Sequence, residues 1–159
     1  MSREKVVSEN KAVKLSQRYR NEGKRVVTTN GSFDVFHFGH VILLEEAKRQ
    51  GDILIVGLNS DTSVRAYKGP NRPINPEAAR AGVLAAMEAV DHVFLFDDTT
   101  PIRWLERIRP AVHCNSSEYG SDCVERPTLD AIGARLKLVG RNADDGLSTT
   151  EILRKLKAS

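Results

Sequence analysis

The chain has 159 residues, of which 40% are hydrophobic and 28% are charged, so it can bury the core of one globular domain but not of two ordinary ones. Its net charge of +3 is spread without a basic cluster, which argues against nucleic-acid binding and suits a small anionic ligand. Its two cysteines match neither a disulfide framework nor a zinc pattern. The N-terminal residues are too polar for a secretory signal, and no apolar run reaches the ~20 residues of a membrane span. We therefore expect a reduced, cytoplasmic protein with no membrane segment.

Five short apolar runs predict buried β-strands, because they lack the polar–apolar alternation of a half-exposed strand. They are residues 25–30, 52–58, 92–97, 111–114 and 136–139. Stretches with a helical pattern lie around them, at residues 9–22, 41–50, 76–88 and 102–108 and from Ser148 onward. Asn75 and Thr100 each precede a proline and are predicted N-caps. Ser148 and Glu151 are predicted to form a capping box.

Strands that alternate with helices predict βαβ units. We expect an α/β fold with a Rossmann-like, doubly wound, mainly parallel sheet of about five strands in a single domain, residues 25–159. Residues 1–24 are expected to form a helical extension packed on that domain. Ligands bind beyond the carboxyl ends of the strands in such sheets, which is where residues 29–40 lie.

The segment TNGSFDVFHFGH, residues 29–40, places two histidines three residues apart at the entry to a helix. We expect Gly31 to turn the chain off the strand and Gly39 to let the backbone approach a ligand closely. A helix start offers free N–H groups and a partial positive charge, and the imidazoles of His37 and His40 can donate to phosphate oxygens. The segment therefore favours a polyphosphate ligand.

Two other interpretations of the histidine pair stay open at this point. H-x-x-H is also a metal-binding spacing, although no third ligand is evident nearby. The two residues could instead be structural histidines that cap a turn. The dinucleotide fingerprint G-x-G-x-x-G and the Walker A loop are both missing from the sequence, which disfavours NAD binding and an ordinary P-loop kinase.

The string GSFDVFHFGH, residues 31–40, resembles the signature of the nucleotidyltransferase superfamily whose hallmark is H-x-G-H. Further matching stretches follow in order: Asn59-Ser60-Asp61, KGPNRPINPE at 68–77, Arg80, and Gly146-Leu147-Ser148-Thr149-Thr150. The whole series is similar to the adenylyltransferases that act on D-glycero-beta-D-manno-heptose 1-phosphate in lipopolysaccharide precursor synthesis. The resemblance covers nearly the whole chain.

This resemblance implies transfer of AMP from ATP to a sugar 1-phosphate, which gives an ADP-sugar and pyrophosphate. An acceptor oxygen would attack the α-phosphorus in line, so catalysis would consist of positioning and charge stabilisation without a Ser or Cys nucleophile. A Mg²⁺ ion is expected to bridge the triphosphate oxygens. The implied partners are these small molecules. Relatives often form homodimers, for which the N-terminal helix is a candidate surface.

The resemblance also implies two sets of site residues. The catalytic set contacts the phosphates, with His40 nearest the α-phosphate and Lys68 as a mobile cation, and comprises His37, His40, Lys68 and Arg80. The nucleotide-binding set comprises Asn30, Gly31, Ser32, Phe33, Asp34, Gly39, Asn59, Asp61, Ser148, Thr149 and Thr150.

Several of these residues have a purely structural alternative. Asp34 could make an Asx turn, Lys68 and Arg80 could be solvated surface residues, and Ser148 could serve only as a helix cap. Trp104 is expected to pack in the core or an interface and not to stack on a base.

The sequence departs from the heptose 1-phosphate enzymes after the fourth strand. Those enzymes usually carry lysine, two glycines, aspartate and tyrosine where residues 115–119 read NSSEY. Asn115 therefore replaces a lysine that would face a phosphate, which puts the acceptor in question. Asp144 and Asp145 could bind Mg²⁺ or exclude an anion, whereas Ser32 replaces a cysteine of many relatives without expected consequence.

Two other functions are compatible with these residues. A cytidylyltransferase for glycerol 3-phosphate or a related alcohol phosphate would share H-x-G-H and the serine-threonine-threonine end. A catalytically silent nucleotide-binding protein would explain the loss of the lysine.

Overall fold

Six strands form one parallel sheet in this computed structural model, which describes residues 2–140 and 148–158. The strands are β1 Val6–Val7, β2 Val26–Gly31, β3 Ile53–Asn59, β4 His92–Phe96, β5 Val112–Ser116 and β6 Arg135–Val139. Their order across the sheet is β1-β4-β3-β2-β5-β6, and every neighbouring pair is parallel. The predicted α/β class and Rossmann-like sheet are confirmed.

Helices cover both faces of this sheet. They are α1 Glu9–Asn21, α2 Phe38–Lys48, α3 Asp61–Lys68, α4 Glu77–Ala86, α5 Ile102–Ile108, α6 Arg126–Ile132 and α7 Thr149–Ala158. Two short 3-10 helices lie at Ser2–Lys5 and Ser117–Tyr119. None of the described helices combines the length and the apolar character that crossing a bilayer requires.

Two apolar clusters sandwich the sheet, one on each face. Neighbouring strand residues point to opposite faces, so Val27 belongs to the cluster with α2 and α4, and Val26 to the cluster with α1, α5 and α6. Trp104 on α5 is fully buried in the second cluster and meets Phe94 edge-on at 5.2 Å. Its core position agrees with the sequence-based expectation.

The sheet has one strand more than the sequence predicted, and two helices were missed. Strand β1 has only two residues and pairs with β4 at the sheet edge, which is too short for a periodic signal. Helices α3 and α6 bury few apolar side chains, with Val64 in α3 and Leu129 in α6. The two helices have only eight and seven residues, which is too short for a periodic pattern to be recognised in the sequence.

Three predicted helix boundaries were wrong. Pro76 and Pro101 are themselves the N-cap residues of α4 and α5, without a side-chain cap. Asn75 does not cap α4 because its side-chain amide donates to the backbone oxygen of Asp34, at 2.6 Å. Helix α2 begins at Phe38, three residues before the predicted start.

The chain reverses its direction of travel across the sheet between β2 and β5. From β2 it proceeds through β3 to β4 on one side, and later places β5 and β6 on the other side. The carboxyl ends of β2 and β5 therefore diverge into a crevice, because the loops that leave them turn toward opposite halves of the sheet. This crevice positions the candidate site.

Candidate active site

A cavity of about 250 Å³ opens at the carboxyl ends of β2 and β5. Its lining combines the signature segment, the segment after β5 and the start of α7. The lining residues are Asn30, Gly31, Ser32, Phe33, His40, Leu43, Lys68, Asn115, Ser116, Glu118, Tyr119, Ser148, Thr149 and Thr150. Nine residues of the two sequence-predicted sets thus share one cavity, although they come from four separate parts of the chain.

The two signature histidines lie at the first turn of α2. His37 is the N-cap residue, and its backbone N–H donates to Nδ1 of His40 at 3.3 Å. An Nδ1 that accepts a hydrogen bond leaves the ring proton on Nε2, so His40 carries a donor on its other side. The two rings stack with centroids 3.9 Å apart. His40 lines the cavity, whereas His37 is 8% exposed and supports it.

The sharp turn after β2 falls on Phe33 and not on Gly31. Phe33 has a φ of 44°, a left-handed conformation that costs a non-glycine residue about 1–3 kcal/mol. Its ring is buried and lies 5.1 Å from that of His40. Gly31 instead ends β2, and a Cβ atom there would lie 3.3 Å from the Phe33 ring. A side chain at Gly31 would therefore press on the Phe33 ring, and the left-handed turn itself falls on Phe33.

The start of α7 faces the same cavity as the start of α2. The Ser148 hydroxyl accepts a hydrogen bond from the Glu151 N–H at 3.1 Å, which makes it the N-cap. The Glu151 side chain binds Arg154, so the reciprocal half of the predicted capping box is replaced by an ion pair. The Thr149 hydroxyl donates to the Val35 carbonyl at 3.4 Å and links α7 to the signature segment.

Lys68 brings a positive charge to this cavity from the end of α3. Its ammonium donates to the Ser32 hydroxyl at 2.9 Å. Burial and then the nearby Arg72 lower the pKa of Lys68 below its ordinary value. An anion placed beside Lys68 would restore its pKa, because an opposite charge favours the protonated form. The preceding Tyr67 has a pKa raised by burial, which keeps its hydroxyl protonated as a donor.

Asp34 fastens the segment after α3 to the signature segment. It is 2% exposed and accepts hydrogen bonds from the N–H groups of Ile74 and Asn75, both at 2.8 Å, and from the Arg72 guanidinium at 2.8 Å. Burial would raise the pKa of Asp34, but the backbone donors and Arg72 hold it below its ordinary value. Asp34 therefore acts between two segments and makes more than a local Asx turn.

Arg80 lies beneath the cavity with its guanidinium fully engaged. It is 2% exposed, so it is not the solvated surface residue of the structural alternative. It donates to the carbonyl oxygens of Ser32 at 2.6 Å, Asn59 at 2.8 Å and Asn75 at 3.0 Å. It also pairs with the Asp61 carboxylate at 2.7 Å. Arg80 thereby ties together the ends of β2 and β3 and the start of α4.

The remaining predicted site residues lie around the cavity. Asn59 is 4% exposed, and its amide donates to the Ser63 hydroxyl at 2.9 Å. Asp61 pairs with Arg80, and its backbone N–H is held by Glu77 at 2.8 Å. Gly39 lines a small adjoining pocket with His40.

A second cavity of about 400 Å³ adjoins the first. The two share Asn30, Gly31, Ser32, Lys68, Asn115 and Tyr119. Sequence reasoning singled out Asn115 only as a departure from relatives, and it missed Tyr67, Cys123 and Glu125, which line the second cavity. The only sequence signal for Cys123 and Glu125 was the non-periodic, polar stretch after β5, and Tyr67 had none beyond its place next to Lys68.

No group of three or more His, Cys, Asp or Glu side chains has metal-binding geometry within residues 2–140 and 148–158. The histidine pair therefore has no third ligand in this part of the chain. Asp144, Asp145, Gly146 and Leu147 lie outside the described residues.

Residues 28–155 match a family model described as cytidylyltransferase-like. The chain belongs to this family. The match spans the signature segment, both cavities and the start of α7. It agrees with the superfamily that the H-x-G-H string indicated.

Curated relatives of this cytidylyltransferase-like chain include bifunctional proteins named HldE. That of Geobacter metallireducens is 45% identical over 135 residues, which are 84% of this chain and 27% of the relative. That of Methylobacillus flagellatus is 47% identical over 141 residues, 88% of this chain and 28% of the relative. The chain thus spans just over a quarter of the length of these relatives.

Solved structures share the fold. The lipopolysaccharide core biosynthesis protein from Thermoplasma volcanium superposes with a TM-score of 0.62 at 26% identity, covering 77% of this chain and all of that one. Pantoate-beta-alanine ligase from Francisella tularensis gives the same TM-score of 0.62 at 14% identity, over 96% of this chain and 76% of that one. The second likeness shows the fold alone.

Proposed function

We propose that this chain transfers AMP from ATP to a sugar 1-phosphate, with D-glycero-beta-D-manno-heptose 1-phosphate as the acceptor that the sequence resemblance favours. The observation that carries the proposal is the convergence of two helix starts, α2 and α7, on one cavity that also holds His40 and Lys68. Helix N-termini, an imidazole donor and an ammonium group together suit a triphosphate. The HldE relatives support the same activity, since they match most of this chain.

In this proposal the protein works by positioning and by charge stabilisation. An oxygen of the acceptor phosphate forms a bond to the α-phosphorus while the bond from that phosphorus to the β-phosphate oxygen breaks, and pyrophosphate leaves. His40 would donate from Nε2 to an α-phosphate oxygen as charge builds there. Lys68 would neutralise the phosphates of the two substrates where the two cavities meet. Ser148, Thr149 and Thr150 would hold the β- and γ-phosphates.

The other predicted site residues divide into supporting residues and residues that line the nucleotide. His37 would support the His40 ring, while Asp34 and Arg80 would hold the walls of the site. Asn30 to Phe33 would lie along the nucleotide, with Asn59 and Asp61 beneath them. The contacts of Asp34, Arg80 and His37 support the indirect roles of these three residues.

A Mg²⁺ ion fits this site as a companion of ATP. Mg²⁺ is commonly held by substrate phosphates and waters with one or two carboxylates, and not by a dedicated protein cage. Of the described residues that line the first cavity, Glu118 supplies a carboxylate. When bound, the ion would neutralise charge on the triphosphate.

We further propose that the protein is cytoplasmic and that it forms a homodimer. The cytoplasmic location is supported by Cys114 and Cys123, which are both free and buried, as in a reducing compartment. The homodimer rests on the sequence resemblance, and size-exclusion chromatography with light scattering tests it.

Pyrophosphate release tests the proposed reaction. The purified chain is incubated with Mg²⁺ and each of ATP, CTP, GTP and UTP, together with heptose 1-phosphate or glycerol 3-phosphate. We expect release with ATP and heptose 1-phosphate, and none with unphosphorylated heptose as the matched control. Release from CTP and glycerol 3-phosphate instead would identify a cytidylyltransferase, and no release in any combination would favour a silent nucleotide-binding protein.

A further inference from the structure

The wall of the second cavity contains a buried carboxylate. Glu125, the residue before α6, is 4% exposed and lines this cavity together with Asn115, Tyr67 and Tyr119. Glutamate is almost never this buried unless it is paired. Its partners therefore decide whether it is part of the core or part of a binding surface.

Two polar side chains of β5 lie against Glu125. The Asn115 amide donates to Oε1 of Glu125 at 2.6 Å, and Nε2 of His113 lies 3.7 Å from the same oxygen. On its other side, Nδ1 of His113 is 2.8 Å from the Thr28 hydroxyl. When the Thr28 hydroxyl donates to Nδ1, the ring proton lies on Nε2, the nitrogen that is near Glu125 but beyond hydrogen-bond distance from it.

This arrangement keeps Glu125 charged. Burial alone would raise the pKa of its carboxyl group, but the His113 imidazole, its own backbone N–H and the Cys123 side chain hold the pKa below its ordinary value. A buried carboxylate without such partners would take up a proton and become neutral. The second cavity therefore carries a fixed negative charge in its wall.

Among the described residues, each cavity has one carboxylate in its lining, Glu118 in the first and Glu125 in the second. Lys68 lies where the two cavities meet and suits the phosphate of an acceptor, while Glu125 lies only in the second cavity. Asn115 is neutral at the position where the heptose 1-phosphate enzymes usually carry a lysine. With Lys68 assigned to the first phosphate, a second anionic group deeper in this cavity would face the Glu125 carboxylate without a lysine at position 115.

Hydroxyl groups suit the second cavity better than a second anionic group does. A carboxylate accepts hydrogen bonds from hydroxyls, and the side-chain amide of Asn59 and the hydroxyl of Thr99 add further polar partners in the wall. The rings of Tyr67 and Tyr119 provide apolar faces for the C–H groups of a sugar. These features describe a polyhydroxylated ligand that carries its phosphate at one end only.

We propose that Glu125, oriented by Asn115, is a specificity-determining residue that accepts the neutral, hydroxyl-rich part of a sugar phosphate and rejects acceptors with a second anionic group there. This inference rests on the proposed function, because it assigns the second cavity to the acceptor of that reaction. Asn115 acts as a positioning residue in it.

Equilibrium binding tests the inference without relying on turnover. Isothermal titration calorimetry, with a non-hydrolysable ATP analogue present, compares heptose 1-phosphate, the same sugar with a second phosphate at position 7, and phosphoethanolamine. We expect the wild-type protein to bind the monophosphate at least ~10-fold more tightly than the bisphosphate, because two like charges a few ångströms apart repel strongly in a partly buried site.

Two variants change the charge of the cavity in different ways. Glu125→Gln keeps the size of the side chain and should reduce the preference for the monophosphate by ~10-fold. Asn115→Lys places a cation against Glu125 and should reduce the same preference, even where Glu125→Gln fails to fold. Glu106→Gln is the matched control, since it removes the same charge from the exposed surface of α5 and should retain the wild-type preference.

The outcomes separate this inference from the proposed function. Equal wild-type affinities for the two sugar phosphates, no binding of either, or an unchanged preference in both variants would overturn the role of Glu125. Tighter binding of phosphoethanolamine would overturn the assignment to a polyhydroxylated ligand. The expected binding preference without any pyrophosphate release would support the role of Glu125 and refute the proposed reaction.

Discussion

His40 illustrates how one residue serves both the fold and the site. Its Nδ1 accepts the N–H of His37 and so occupies the place that a Glu or Gln takes at the third position of a capping box. This bond leaves Nε2 as the donor on a side chain that lines the cavity. The spacing H-x-G-H is thus explained by helix geometry, because the N-cap and the third helical residue face each other across the first turn.

Replacement of His40 by alanine should lower turnover far more than it weakens nucleotide binding. A donor that meets charge developing in the transition state contributes about 10²–10³ in kcat, while the remaining donors still hold the ground-state triphosphate. Steady-state kinetics gives kcat, and calorimetry gives the nucleotide Kd. His92→Ala is the control, because His92 lies on β4 against Tyr19. Equal losses in kcat and binding would mean that His40 only holds the substrate.

At the scale of elements, Asp34 and Arg80 connect segments that are distant in sequence. Asp34 receives the backbone of residues 74 and 75, and Arg80 reaches the ends of β2 and β3. Removal of either side chain would leave several buried groups without a hydrogen bond, which lowers the stability of the folded state. The long loop between α3 and α4 is therefore held in one conformation next to the cavity.

Asp34→Asn should destabilise the protein and alter its response to acid. Breaking a buried ion pair costs about 3 kcal/mol. The pKa of Asp34 is depressed in the folded state from a reference value of 3.8, so its contribution is complete above that value and is lost as the pH falls through the folded-state pKa. Urea unfolding at a series of pH values from neutral to acid measures this. The free energy of unfolding of the variant should lack the part of the pH dependence that comes from Asp34. The same pH dependence in the variant and the wild type would contradict the role of Asp34.

Arg80→Lys distinguishes a positioning role from direct phosphate contact. Lysine cannot reproduce a guanidinium that serves three carbonyl oxygens and a carboxylate, so we expect a loss of about 2–4 kcal/mol in the free energy of unfolding. Urea denaturation of the substrate-free protein measures it, with Arg126→Lys, in the exposed pair with Asp130, as the control. Unchanged stability with weakened ATP binding would instead indicate that Arg80 acts on the phosphates.

At the scale of the whole molecule, the strand order creates the site. Because β2 lies between β3 and β5, the segments that follow β2 and β5 meet in one crevice, and α7 contributes its start to the same place. The apolar clusters on both faces of the sheet fix these ends relative to one another. Substrate binding should therefore stabilise the entire fold and not only a local loop.

ATP should raise the melting temperature more than CTP does. A ligand at 100 times its Kd stabilises the folded state by ~2.7 kcal/mol, which corresponds to about 5–10 °C for a domain of this size. Differential scanning fluorimetry with each nucleotide and Mg²⁺ at equal concentration measures the shift. A larger shift with CTP would contradict the adenine preference.

The sequence by itself determined the class of fold and the position of the nucleotide-facing segment. Uninterrupted apolar runs identify strands covered on both faces, and the five predicted runs correspond to β2–β6. The H-x-G-H string between the first predicted strand and a helix indicated the family that residues 28–155 match. Such signals are local, since they depend on residues within one turn or one strand.

Only the tertiary structure decided which side chains face a ligand and which hold the walls. From sequence alone, the charged side chains of Arg80 and Asp34 are expected to contact phosphate or solvent. In the structure they are buried, and their hydrogen-bond partners come from other segments of the chain. Glu125 carries no local motif, and it becomes notable only because the fold places it against Asn115 and His113 of β5. Burial and pairing depend on contacts between distant parts of the chain, and those contacts arise from packing that no single stretch of sequence specifies.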